Sequence, residues 1–155
     1  MLDTIAQTFW DLHFQYFEQF LVALLPMALT VAIHGQGMKL AGRYFTRFGR
    51  RQAVGTRTGP HVLVLITIVA VMLAAHFFEV CAWALFYLTT GMLSDFKTAM
   101  FYSIESYTTL GASNFDLPGR WRGLGGLEAM TAMLMFGWST AVLAVIVQKS
   151  HGIEA

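Results

Sequence analysis

The chain predicts an all-α membrane protein: three spanning helices, with a short re-entrant helix and a polar turn between the second and third. Three observations carry that reading. Of 155 residues, 56% are hydrophobic and only 12% charged, half the roughly 25% usual in soluble domains, and mean hydropathy is +0.57. Residues 17–38, 61–87 and 124–147 each hold about the 20 mostly apolar residues that a hydrocarbon core of about 30 Å demands. Before the third span lie residues 105–114, ESYTTLGASN, which are polar and Thr-rich. Irregular polar backbone is tolerated at membrane depth only where protein buries it or where it lines a watery cavity.

Residues 1–19 alternate polar side chains with Phe9, Trp10, Phe14, Tyr16 and Phe17, the pattern of an amphipathic helix with its aromatics at headgroup level. A lid over an opening framed by the other helices is the second reading of this segment. Asp3, Asp11 and Glu18, with no basic n-region, argue against a signal peptide. The first span carries Pro26 and reaches His34, Gly35, Gln36 and Gly37, which read as a helix end. Gly59 and Pro60 open the second span, where the missing proline N–H costs nothing, and Thr89, Thr90 and Gly91 close it. Ser94 reads as the N-cap, with Asp95 in the first turn, of a short helix over 95–107. The third span begins in a glycine-rich stretch, 123–126, whose small residues let helices approach closely. One cysteine, Cys81, excludes an intrachain disulfide. No internal repeat, low-complexity run or appended soluble domain is expected.

Net charge is only +1, but its distribution is sharp. Lys39, Arg43, Arg47, Arg50, Arg51 and Arg57 fall in a linker, 39–60, that contains no acid. The positive-inside rule places this linker in the cytoplasm. The N-terminus is then outside, the loop 91–123 with Asp95 and Asp116 is also outside, and Lys149 with the C-terminus lies inside. The linker reads as a topology determinant touching anionic lipid, with regulation by such lipid as the other option.

Over residues 102–141 the chain resembles the pore domain of the potassium-channel superfamily. Thr109, Leu110, Gly111, Ala112 and Ser113, preceded by Thr108, stand where that family carries its Thr-Val-Gly-Tyr-Gly filter. Trp121, Arg122, Leu127, Glu128 and Ala129, then FGWSTA over 136–141, look like the inner-helix region of bacterial two-helix channels. The likeness covers residues 61–147, and the first span has no counterpart in the minimal pore domain. It implies a pore domain over 61–148 with an outer helix, a pore helix (95–107), a filter (108–114) and an inner helix (124–147). An interfacial segment with an extra helix (1–38) and the linker (39–60) precede it. It further implies passive conduction of monovalent cations across a bacterial inner membrane, with potassium or sodium bound in the filter and no other cofactor. Expected partners are three further copies of the chain, membrane lipids and inorganic cations, and no nucleic acid.

The physical case runs beside the resemblance. A cation leaving water needs its hydration shell replaced by oxygens, which carbonyls and threonine hydroxyls supply. Thr108 and Thr109 fit the innermost layer, and carbonyls at the helix end near Tyr107 bias the site toward cations. One copy cannot surround an ion with matched oxygens, whereas a symmetric tetramer around a central pore can. The filter departs from the family at Ala112, Ser113 and Asn114, which replace Tyr, Gly and Asp. A non-glycine residue forced to φ > 0 costs about 1–2 kcal/mol, so the outer ion sites are expected to widen and selectivity to weaken.

Other ionisable and small residues have two readings each. Glu105 braces the filter through Asn114, or through Asp116 if the loop folds back; otherwise it is a protonated or hydrated carboxyl. Gly137 is a gate hinge or a close helix contact. Glu128 pairs with Arg122 or faces the mouth. His76 and Glu79, at i and i+3 with Cys81 nearby, form a metal site, or else Glu79 reaches the outer interface and pairs with Arg120 or Arg122. Met130, Met133 and Met135 read as packing rather than copper ligands. The tail 148–155 is short for a nucleotide or calcium sensor. No nucleophile–base pair, phosphate loop or catalytic metal spacing points to an enzyme. Besides a weakly selective cation channel, the sequence admits a metal-ion channel or sensor using His76 and Glu79, and a non-conducting channel-like scaffold.

Overall fold

The computed structural model describes residues 2–49, 62–111 and 116–150, with side chains from residue 13 onward. Helix α1 spans Leu2–Tyr44 and runs into a π-helical turn, Phe45–Gly49. Helix α2 spans Val62–Thr89, α3 Phe96–Tyr107 and α4 Leu124–Ser150, with a 3₁₀ turn at Gly119–Trp121 ahead of α4. No strand occurs among the described residues. Three helical stretches, His13–Gly49, Val62–Thr89 and Gly119–Ser150, are long and apolar enough to cross a membrane. Leu25, Leu63 and Leu134 are each about 70% exposed, a surface suited to hydrocarbon rather than water.

The first span does not end where its glycines suggested. Helix α1 passes through Gly35 and Gly37 and carries Lys39 and Arg43 on its last turns, with Arg47 in the π-helical turn. The glycine serves packing instead: a Cβ at Gly37 would lie 2.7 Å from the Ala75 Cβ, so α1 approaches α2 too closely for a side chain. A break at this depth would also strand backbone groups in hydrocarbon. Residues 2–19 are likewise continuous with the span rather than a separate interfacial helix. Arg50, Arg51, Arg57, Gly59 and Pro60 lie outside the described residues.

The chain forms two compact units, Met1–Thr30 with Val80–Ala132, and Val31–Glu79 with Met133–Ala155. In the first, Trp83, Tyr87, Tyr102, Leu117 and Leu124 close around Ala23, Ala84 and Ala99, and the Tyr87 and Tyr102 rings meet edge to face at 5.3 Å. Pro26 sits inside α1, where it cannot donate to the carbonyl one turn back. Thr30 stabilises the same region: its hydroxyl donates to the Pro26 carbonyl at 2.9 Å and accepts from Trp83 Nε1 at 3.0 Å. In the second unit, Met38, Ala41, Phe45, Val64, Ile68, Met72 and Ile146 make the core.

Helix α3 starts one residue later than Ser94 would have it, because Asp95 is the N-cap. The Asp95 carboxylate accepts from the Thr98 amide at 2.9 Å, and hydrogen bonds from the Thr98 side chain and then its amide hold the carboxyl below the ordinary value of 3.8.

Candidate functional site

Twelve residues of α3 lie between two membrane-length helices, and a buried carboxyl holds them there. Glu128 of α4 is fully buried. Tyr87 of α2 donates to its Oε2 at 2.8 Å, and Ser103 of α3 bonds its Oε1 while also reaching the Val80 carbonyl at 3.0 Å. Glu128 thus ties α2, α3 and α4 together, and pairs neither with Arg122 nor with solvent. Arg122 is engaged elsewhere, bonded to Asp116 at 2.9 Å in an exposed pair.

At the end of α3 the chain reverses through Thr108, Thr109, Leu110 and Gly111. The Thr109 amide donates to the Ser106 carbonyl at 3.0 Å, and the Leu110 amide to the Glu105 carbonyl at 2.9 Å. Those two bonds are the Schellman pattern that closes a helix in the left-handed region, normally with glycine there. Here the residue is Thr109, at φ 60, and Gly111 follows at φ 59. Positive φ in a β-branched residue is a genuine outlier, costing about 1–2 kcal/mol. The turn also consumes helix-end carbonyls, Ile104 to Ser106, that a simple inward-pointing helix end would have presented.

The side chains of Thr108, Thr109 and Leu110 are exposed, Leu110 at 68%. Behind the turn, Glu105 is 7% exposed and its Oε2 has no hydrogen-bond partner among the described residues. It borders a cleft of about 360 Å³ shared with Tyr102, Thr109, Gly111, Asp116 and Arg122. Asn114, the expected brace for Glu105, lies outside the described residues with Ala112 and Ser113. Asp116 bonds Arg122. Gly137 sits on an unbroken α4 with open space where its side chain would be, so among the described residues it makes no close helix contact.

His76 and Glu79 do come together, with a third residue that sequence reasoning passed over. His34 Nδ1 lies 2.9 Å from Glu79 Oε1, and His76 Nδ1 lies 3.7 Å from Glu79 Oε2. Ser139 Oγ sits 3.1 Å from His76 Nε2 and 3.3 Å from His34 Nε2. The ring of His34 packs on Trp138 at 5.1 Å and that of His76 on Phe136 at 4.5 Å. Glu79 is fully buried. His34 had looked like part of a helix end; its missed signal was a titratable residue inside an apolar stretch. No family model, curated protein or solved structure matches the chain.

Proposed function

We propose that four copies of this chain form a pore-loop channel that passes monovalent cations passively, with α3 as the pore helix and residues 108–114 as a weakly selective filter. This makes the chain a divergent relative of the potassium-channel pore domain, with an added first helix, its N-terminus outside and its C-terminus in the cytoplasm. The observation that carries the proposal is Thr109 at φ 60 on the exposed turn after a short helix held between two membrane-length helices. Backbone strain persists where surrounding structure over-determines it, and such positions cluster at functional sites. A threonine in the left-handed region keeps a hydroxyl at the turn where glycine would be cheaper. The buried Glu105 Oε2, with no hydrogen-bond partner among the described residues, is free to brace the filter through Asn114.

Ion flux from liposomes holding the purified chain tests the proposal, with potassium, sodium and a large organic cation compared. Comparable potassium and sodium flux with the large cation excluded is expected. Gly111→Ala, forced to φ +59, should abolish that flux. A folded, reconstituted chain that passes neither ion overturns the proposal.

A further inference from the structure

We infer that His34, His76 and Glu79 bind a divalent transition metal of the zinc class, with Ser139 holding both imidazoles in the ligating tautomer. This goes beyond cation conduction and uses none of the turn's residues. One ligand atom from each of the three side chains lies within 4.8 Å of the others, and all three residues are buried. Bonds of about 2.0–2.1 Å to a tetrahedral metal place neighbouring ligand atoms about 3.3 Å apart. The two Nδ1–carboxylate separations, 2.9 and 3.7 Å, straddle that spacing. The two oxygens of Glu79 face different histidines, so the carboxylate sits where it would share one ion with both.

The hydrogen bonds at Ser139 fit the metal-bound form. With metal on both Nδ1 atoms, each Nε2 carries a hydrogen, and Ser139 Oγ has the two lone pairs needed to accept both. Its own hydrogen is then free to point at Met38 Sδ, 4.0 Å away. Without metal, a relay through the same atoms also forms: His76 Nε2–H donates to Ser139 Oγ, the Ser139 hydroxyl donates to His34 Nε2, and His34 Nδ1–H donates to Glu79. That metal-free relay is the competing arrangement.

Imidazole with carboxylate suits zinc, copper or nickel, whereas magnesium and calcium prefer all-oxygen sites. The aromatic walls from Trp138 and Phe136 and the outer bonds from Ser139 are the surroundings that orient histidine ligands and tune their affinity. Every contributing residue lies well inside a membrane-length helix, where ionisable groups are costly and mark function.

The test uses the full chain in detergent or nanodiscs, stripped with a chelator and titrated with Zn²⁺ or Co²⁺ alone. One metal per chain is expected, with the intense visible bands of four-coordinate Co²⁺. His34→Gln and Glu79→Gln, which keep a polar head in place, should abolish those bands. Ser139→Ala keeps all three ligands and should weaken binding about 10–100-fold. His13→Gln should change nothing. Should the ligand variants fail to fold, the wild-type spectrum decides. A folded wild-type chain that takes up no stoichiometric metal, or shows only weak octahedral Co²⁺ bands, overturns the inference. So does metal retention by folded His34→Gln and Glu79→Gln chains.

Discussion

Thr109 poses the sharpest question at the scale of single residues. Its φ of 60 belongs to glycine or asparagine, and the two Schellman bonds around it do not depend on its side chain. Replacing it with glycine should therefore relax the turn. Thr109→Gly is expected to stabilise the fold by about 1 kcal/mol, read as a higher melting temperature in detergent, while lowering cation flux in liposomes. A variant that gains stability and keeps full flux would assign the strain to accident rather than conduction. Gly111 is the complementary case, because glycine there meets φ +59 without strain. The Thr-Thr-x-Gly motif was visible in the chain, but which of its residues carries the strain was not. Family likeness had pointed to an outer position, Ser113, as the strained one.

Between elements, the position of α3 depends on one buried carboxyl. Glu128 receives Tyr87 and Ser103 on its two oxygens, and removing it leaves the Tyr87 hydroxyl without its acceptor while Ser103 keeps the Val80 carbonyl. Glu128→Ala is expected to destabilise the folded state by about 1–3 kcal/mol for the partner left unsatisfied, whereas Glu128→Gln, which keeps two polar atoms, should cost far less. Thermal unfolding in detergent distinguishes them, and equal losses would show that shape rather than hydrogen bonding is at stake. The existence of α2, α3 and α4 was legible because apolar length and capping are local signals. The near-complete match at Leu124 and the one-residue shift from Ser94 to Asp95 show how well local chemistry marks helix starts. Partnerships were not legible. Glu79 meets His34 across 45 residues, and Glu128 meets Ser103 across 25, separations that no spacing rule spans. The end of α1 was misjudged for a related reason: Gly37 answers to Ala75 on another helix, not to its own backbone.

For the whole molecule, the open matter is what surrounds the turn. Each chain supplies one Thr108–Gly111 segment, and its exposed Leu110 offers an apolar side chain that water would not favour. Phe101 and Ile104 are exposed on α3 as well, at 51% and 40%. Lipid covers such residues in a solitary chain; neighbouring copies cover them in a ring. Conduction through matched oxygens requires the ring. Native mass measurement of the chain in mild detergent or nanodiscs should therefore give four copies, and Leu110→Glu on that exposed site should disfavour the tetramer without unfolding the monomer. A strictly monomeric chain would end the channel proposal, since one turn cannot replace an ion's hydration shell. It would leave the histidine–carboxylate site untouched, because His34, His76, Glu79 and Ser139 all come from a single copy.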